Sequence, residues 1–244
     1  MNWSKMLRLK LSITVLAIGF LFLAAACGGE STSTDDLSVD ELLVSAGEEL
    51  AAMSTAKVAM IDETDSGAQF FGTTFKSMEA EIKSPDGFRM LVEVVAAAMG
   101  FVEIEMVAVG EQAYMKFSED APWLPLPLEQ VPFNFGRVGP ALSEALPLMR
   151  DAAITGREVV ADAQTILVVG DIVSEDLSAL ITSLDPGHPI TLTLWIDESE
   201  HILRQMRIDG RLYNDDAPGT KRLVTISGVN APVDIQLPDI AAGP

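Results

Sequence analysis

A chain of 244 residues carries 36 acidic against 16 basic side chains, a formal charge of −20, with two histidines and one cysteine. That balance repels nucleic acid and anionic headgroups, which excludes basic-patch recognition, and a single cysteine excludes an internal disulfide. About half of the residues are hydrophobic, so one large core is available, held by packing and hydrogen bonds alone.

Lys5, Arg8 and Lys10 precede an apolar run from Leu11 to Ala26, and the first acidic residue is Glu30. This is the order of a secretory signal, and the run is shorter than the roughly 20 residues of a permanent bilayer-spanning helix. Leu23 and three alanines directly before Cys27 resemble the lipobox of bacterial lipoproteins. There the cysteine thiol takes a diacylglycerol and the signal is removed. An ordinary secreted protein with a free cysteine, or an uncleaved anchor helix, is the alternative; an unpaired thiol in an oxidising compartment argues against the first. The reading is therefore a signal peptide over 1–26, a lipidated tether over 27–37 and one domain over 38–240. The mature chain keeps 13 basic and 36 acidic residues, a formal −23. Lipid-anchored on the extracytoplasmic face of the cell membrane, its body is expected to stand off the bilayer on its tail.

Gly28 to Asp36, GGESTSTDD, is small and polar, as a flexible tether requires. Ser38 and Glu41 have the spacing of a capping box, and Val39, Leu42, Leu43, Ala46, Leu50 and Met53 recur at helical intervals, which predicts a helix over about 39–53. The period then changes to two. Strands are predicted over 56–64 and 69–83, with a change of parity near Lys76 and Ser77 that suggests a bulge. Pro85, Asp86 and Gly87 turn the chain into Phe88, Met90, Val92 and Val94; Val102 to Ala108 and Ala113 to Phe117 continue the alternation as an antiparallel meander.

Ala121 to Pro132, APWLPLPLEQVP, has four prolines among leucines and Trp123, so it cannot pair as a central strand and reads as a greasy loop. A short helix follows over about 140–150, then strands over 153–160 and 164–171. Ser174 is read as capping a third helix that turns Leu177, Leu180, Ile181 and Leu184 inward. Alternation returns over 190–196, 202–208 and 220–228, with YNDDAPG at 213–219 as an exposed turn. The fold class is α+β: a large, strongly bent antiparallel sheet with about three helices and the proline-rich loop on one face.

Signatures of catalysis are scarce. There is no G-x-S-x-G elbow, P-loop or dinucleotide fingerprint, and Ser54 with Lys57 fits S-x-x-K only where a helix ends, without companion motifs. His188 and His201 form no spaced ligand pair, which argues against zinc. The acidic clusters at Asp62, Glu63 and Asp65 and at Asp215 and Asp216 lack the Ca²⁺-loop pattern and read as solvated turns. No cofactor is expected and the chain reads as non-enzymatic. The informative residues are apolar: nine methionines remain in the mature chain, several on inward strand faces, where they either fill the core or shape an adaptable cavity.

The helix ending LAAMSTAKVAM, the run VAVGEQAYMKFSEDAPWLPL, the segment ALSEALPLMRDAAITGREVV and the later TLTLWIDESEHILRQMRIDG together resemble the LppX/LprAFG family of bacterial envelope lipoproteins, over roughly residues 40–238. The resemblance implies a U-shaped antiparallel half-barrel, similar to the carriers LolA and LolB, with helices on its concave side. It also implies binding of acylated lipid or glycolipid between sheet and helices. Tyr114, Trp123, Trp195 and Asp197 match recurrent family positions and are taken as fold markers, with Trp195 on the outer phase of its strand.

Inward positions then become candidate cavity walls: Phe71, Phe75, Met90, Val92, Val94, Ile104, Met106, Met115 and Phe117 on the strands, with Trp123 in the loop. The second and third helices would add Leu142, Leu146, Met149, Leu177 and Ile181, and a later strand Leu192 and Leu194. The expected function is lipid binding and transfer within or across the envelope by a tethered lipoprotein. The alternative is an envelope scaffold or interaction lipoprotein with a filled core and no cargo; a hydrolase would need a nucleophile and base that the sequence does not pair.

Overall fold

The capping box forms as its spacing requires: the Glu41 backbone N–H donates to Ser38 Oγ at 3.2 Å, and the Ser38 N–H donates back to Glu41 Oε2 at 3.0 Å. It starts helix α1, Val39–Ala52, which buries Leu42, Leu43, Ala46 and Leu50. The computed structural model describes residues 38–240, apart from Asp86, Pro132 and the side chain of Thr64. The expected signal, Cys27 and the tether lie outside the described residues. Among those described, no helix is long and apolar enough to cross a membrane.

Among the described residues, twelve strands follow in two meanders. The first comprises β1 (Thr55–Asp62), β2 (Gln69–Phe70), β3 (Thr73–Lys83), β4 (Gly87–Ala96), β5 (Gly100–Val109), β6 (Gln112–Lys116) and the short β7 (Leu124–Pro125). The second comprises β8 (Arg150–Val160), β9 (Ala163–Val173), β10 (Pro189–Asp197), β11 (Leu203–Gly210) and β12 (Lys221–Ser227). The sheet runs β7-β6-β5-β4-β3-β1-β12-β11-β10-β9-β8, with β2 pairing only β3. Its two edges, β7 and β8, do not meet, so the sheet stays open. Register shifts at Phe75/Ser77, at Trp195/Ile196 and twice in β8 curve it. The first of these is the bulge read from the change of parity at Lys76 and Ser77.

Among the described residues there are two α-helices rather than three. Helix α2, Val138–Ala145, continues as a 3-10 turn through Leu148, where Pro147 ends regular hydrogen bonding. The third expected helix is a single 3-10 turn, Ser174–Leu177. Ser174 does not cap a helix. Its hydroxyl donates to the Asp185 carbonyl and accepts from the His188 N–H, stapling the base of a loop. Leu177 and Ile181 are still buried, without a helix to carry them.

One face of the sheet holds the core. Met60, Met78, Met90, Val92, Leu192 and Leu194 project from it against α1, α2 and the 174–184 loop. The helices cross where Gly139 meets α1, and an added Cβ there would stand 2.0 Å from the Leu50 carbonyl oxygen. Only glycine fits that crossing. Trp195 is buried but lies on the opposite face, where its indole N–H donates to Glu158 and the Arg207 guanidinium stands 5.8 Å from its ring centre.

The acidic clusters are solvated at Asp65 and Asp215, as expected, but not at Asp62 and Asp216. Asp62 is buried and accepts from the N–H groups of Ser66, Gly67 and Ala68 and from the Ser66 hydroxyl. Asp216 is buried too, paired with Arg222. Asp197 anchors the β10–β11 turn by accepting from the N–H groups of Ser199 and Glu200 and, at 2.7 Å, from Arg204 Nη2. Burial pushes the Asp62 and Asp197 carboxyls up, but these donors outweigh it and hold both below the usual carboxylate range.

A folded-state pKa below the unfolded one gives stability that is full above the ordinary value near 4 and is lost as pH falls through and below it. The urea midpoint is therefore expected to hold level from about pH 7 to 5 and to fall below about pH 4. Asp197→Asn should start lower at neutral pH and fall less steeply in acid. An unchanged acid slope in that variant would remove Asp197 from the account.

Candidate functional site: an apolar cavity at one end of the sheet

The meander β3 to β6 leaves part of its core face uncovered. The inward residues of β9 to β12 are buried in the core, whereas over β4, β5 and β6 the inward residues border a cavity of about 610 Å³. That volume falls within the ~300–1,000 Å³ typical of small-molecule sites. Val94, Val102, Ile104, Met106, Met115 and Phe117 form the sheet wall. Strand alternation places the first five there as inward residues of β4, β5 and β6, with Phe117 directly after β6, and cross-strand pairing sets Met106 opposite Met115 and Val94 opposite Val102. Phe70, Phe71 and Thr73 close one side, and Leu126, Glu129 and Gln130 of the proline-rich loop close another.

A polar margin completes the mouth. Thr182 and Ser183 contribute hydroxyls, and Thr182 Oγ1 donates to the Val131 carbonyl. Ser183 hydrogen-bonds the Tyr213 phenol, whose pKa burial raises above its usual value. Behind Tyr213 the Arg222 guanidinium stands 5.8 Å from the ring centre and binds Asp216 at 2.6 Å. The walls are thus hydrocarbon and aromatic, with hydroxyls, one amide and the Glu129 carboxylate on one margin. This chemistry suits an apolar ligand with a small polar end.

A second hollow of about 430 Å³ shares Glu129 and Thr182 with the first. Between them runs a chain of rings: Phe70 stacks on Phe133 at 6.1 Å, Phe133 meets Phe135 at 5.6 Å, and Phe135 meets Phe88 at 4.4 Å. The spacer is aromatic side chain, which can rotate.

The residues read from the sequence divide in two. Phe71, Val94, Ile104, Met106, Met115 and Phe117 line the cavity. Phe75, Met90, Val92, Leu192 and Leu194 are fully buried in the filled core, as are Leu142, Leu146, Leu177 and Ile181, while Met149 lies at the core's edge. Trp123 stands outside the cavity with the Lys116 ammonium 5.0 Å above its ring; Leu126 is the loop residue that reaches the wall. The sequence reading missed Phe70 and, on the β4–β5 hairpin, Ala96, Met99 and Val102. The available signal was the uncharged run Val94 to Val102 across a hairpin, which no core position requires. Ser54 and Lys57 point to different partners, Asn230 and Glu81.

The family described as LppX_LprAFG lipoprotein matches residues 43–235. The chain belongs to that family. Its match runs from α1 to beyond β12 and includes every residue of the cavity wall. LprF from Mycobacterium bovis superposes with a TM-score of 0.63 at 16% identity, over 82% of this chain and 96% of that one. Lipoprotein LppX from Mycobacterium tuberculosis superposes with a TM-score of 0.54 at 19% identity, over 82% and 100%. These likenesses establish the fold. A LolA superfamily protein from Nitrosomonas europaea aligns over 83% of this chain at 13% identity, with a TM-score of 0.26 that decides nothing. No curated protein sequence matches the chain.

Proposed function

We propose that this family member is a membrane-tethered carrier that takes the acyl chains of a lipid or glycolipid into the cavity and carries them within or across the envelope. The supporting observation is the cavity itself: hydrocarbon walls on three strands and a polar margin on one side, in a domain whose core over β9 to β12 is filled. Acyl chains moving from a bilayer into it exchange one apolar surrounding for another, so the net cost of transfer is small. The adjoining hollow offers room for a further chain. On this reading the domain of 38–240 is a half-barrel, with helices on its concave side. Cys27 carries the lipid anchor on the extracytoplasmic face, and residues 27–37 are the leash. Tethering keeps encounters local and raises the effective concentration of the carrier at the membrane.

The test is native mass spectrometry of a soluble form beginning near Ser31, purified from its own host's envelope fraction. The expected spectrum shows a discrete added mass that organic extraction removes, with an acylated lipid in the extract. An unladen mass that persists after incubation with host lipid extract would replace the carrier with the scaffold reading.

A further inference from the structure

The mouth of the cavity carries an apolar fringe that the fold does not use. Met99 is 72% exposed, Phe71 59%, Phe101 58% and Phe117 46%. Antiparallel pairing brings three of them together. Thr74 pairs with Val95, so the β2–β3 turn bearing Phe71 and the β4–β5 tip bearing Met99 and Phe101 lie at the same end of adjacent strands. Phe117 follows β6, next to β5. Phe71, Met99 and Phe117 also line the cavity, so the exposed surface and the apolar interior are continuous. From Val94 to Val102 nine successive residues carry no charge, in a chain of net −20. Glu93 and Glu103, on either side of that run, occupy the outer phase of their strands, and Glu129 stands on the polar margin.

Phe71 supplies an independent observation. It adopts φ +49° and precedes Gly72 at φ +72°, a two-residue hairpin connection with both residues left-handed. Asparagine before glycine is favoured there, and a bulky side chain in that conformation costs folding free energy. Its ring makes an edge contact with Phe70, centroids 4.9 Å apart, and stays 59% exposed. A strained, exposed aromatic at the lip of an apolar cavity serves something outside the fold.

We infer that this lip, formed by Phe71, Met99 and Phe117 with Phe101 beside it on the outer phase of β5, docks into the surface of a lipid bilayer and opens the cavity directly onto it. The inference rests on the carrier reading for its purpose, since a mouth seated in a bilayer lets acyl chains enter without crossing water. The occupant is a membrane rather than a protein because the exposed side chains of the lip are hydrocarbon and come from adjacent strand ends, while Glu129, Thr182 and Ser183 keep to one margin of the mouth. It is a zwitterionic or neutral membrane, because a strongly acidic body is repelled by anionic headgroups. Each large side chain buried in the bilayer should change partitioning on the order of tenfold.

The experiment uses the full chain, purified with its anchor and reconstituted into phosphatidylcholine vesicles containing spin-labelled lipid. An environment-sensitive fluorophore is placed through Met99→Cys, or through Glu111→Cys in the turn at the opposite end of β5, with the unsubstituted chain as blank. The expected result is a blue shift and strong quenching at 99, neither at 111, and weakening when phosphatidylglycerol is added. Phe71→Asn should raise the folding midpoint yet reduce quenching at 99. No quenching at 99, equal quenching at both positions, or a blue shift without quenching that grows with protein concentration, as for a second copy covering the lip, overturns docking. The mass measurement separates the two readings: cargo present with an unquenched lip leaves the carrier and removes docking. A quenched lip without cargo does the reverse.

Discussion

Replacing Asp216 by alanine is expected to destabilise the domain by about 3–5 kcal/mol, the cost typical of removing one partner from a buried ion pair. Arg222 and Asp216 are 2% and 0% exposed at their side chains, so the guanidinium left behind has no water to turn to. Its Nη1 already lacks a partner. The carboxylate does more than neutralise it: Asp216 also accepts from the N–H groups of Gln69, Leu212 and Tyr213, at 2.7, 2.8 and 3.1 Å. One side chain therefore ties the β11–β12 connection to β2, whose Phe70 forms part of the cavity wall. For a domain of this size the loss corresponds to a fall in melting temperature of about 6–20 °C. Urea titration at neutral pH measures it directly. Replacing both partners by apolar residues, Asp216→Leu with Arg222→Met, should recover only the part due to the unpaired guanidinium, because the N–H groups of Gln69, Leu212 and Tyr213 still lose their acceptor. A single-variant cost below about 1 kcal/mol would show that the pair is already hydrated.

Filling the cavity is expected to separate binding from stability. Ile104→Trp extends a wall residue into space that holds no core atoms, so the folding midpoint should move by less than about 1 kcal/mol, as for changes that neither open nor overfill a core. Lipid occupancy, read as laden mass per folded molecule, should fall at least about tenfold because the volume for the chain is gone. Leu194→Ala is the opposite case. That residue is 0% exposed in the filled core, and its truncation should cost about 2–5 kcal/mol while occupancy per folded molecule holds. If Ile104→Trp destabilised as strongly as Leu194→Ala, the space over β5 would be closed in solution and the scaffold reading would gain.

How much of this was legible in the sequence depends on how local each cause is. The capping box at Ser38 and Glu41, the alternation of β4, β5 and β6 and the bulge at Ser77 arise from neighbours within a few residues, and each was readable. The strand expected over 69–83 was broken by the turn at Phe71 and Gly72, because nothing in Phe-Gly announces a left-handed pair as Asn-Gly does. The third helix failed because the Ser174 hydroxyl bonds Asp185, eleven residues on, instead of the helix start. Asp216 looked like a surface acid because its partner Arg222 and its amide donors are assembled by the sheet, outside any local motif. For the cavity, strand parity separated inward from outward residues. It did not say which inward residues the helices would cover, since that depends on where α1 and α2 come to rest.

The order of strands has a consequence for how the molecule comes into being. Within each meander, neighbours in the sheet are near neighbours in the chain, but β1 pairs with β12, and Lys57 faces Ser227 across 170 positions. Closing so long a loop is entropically slow compared with making hairpins, so the two meanders form first and the seam between them last. A chain synthesised amino end first holds β1 in place with one edge bare until the final strand arrives. In that interval Lys57 and Asp62 sit on the bare strand, and their charges deter another chain from adding to it.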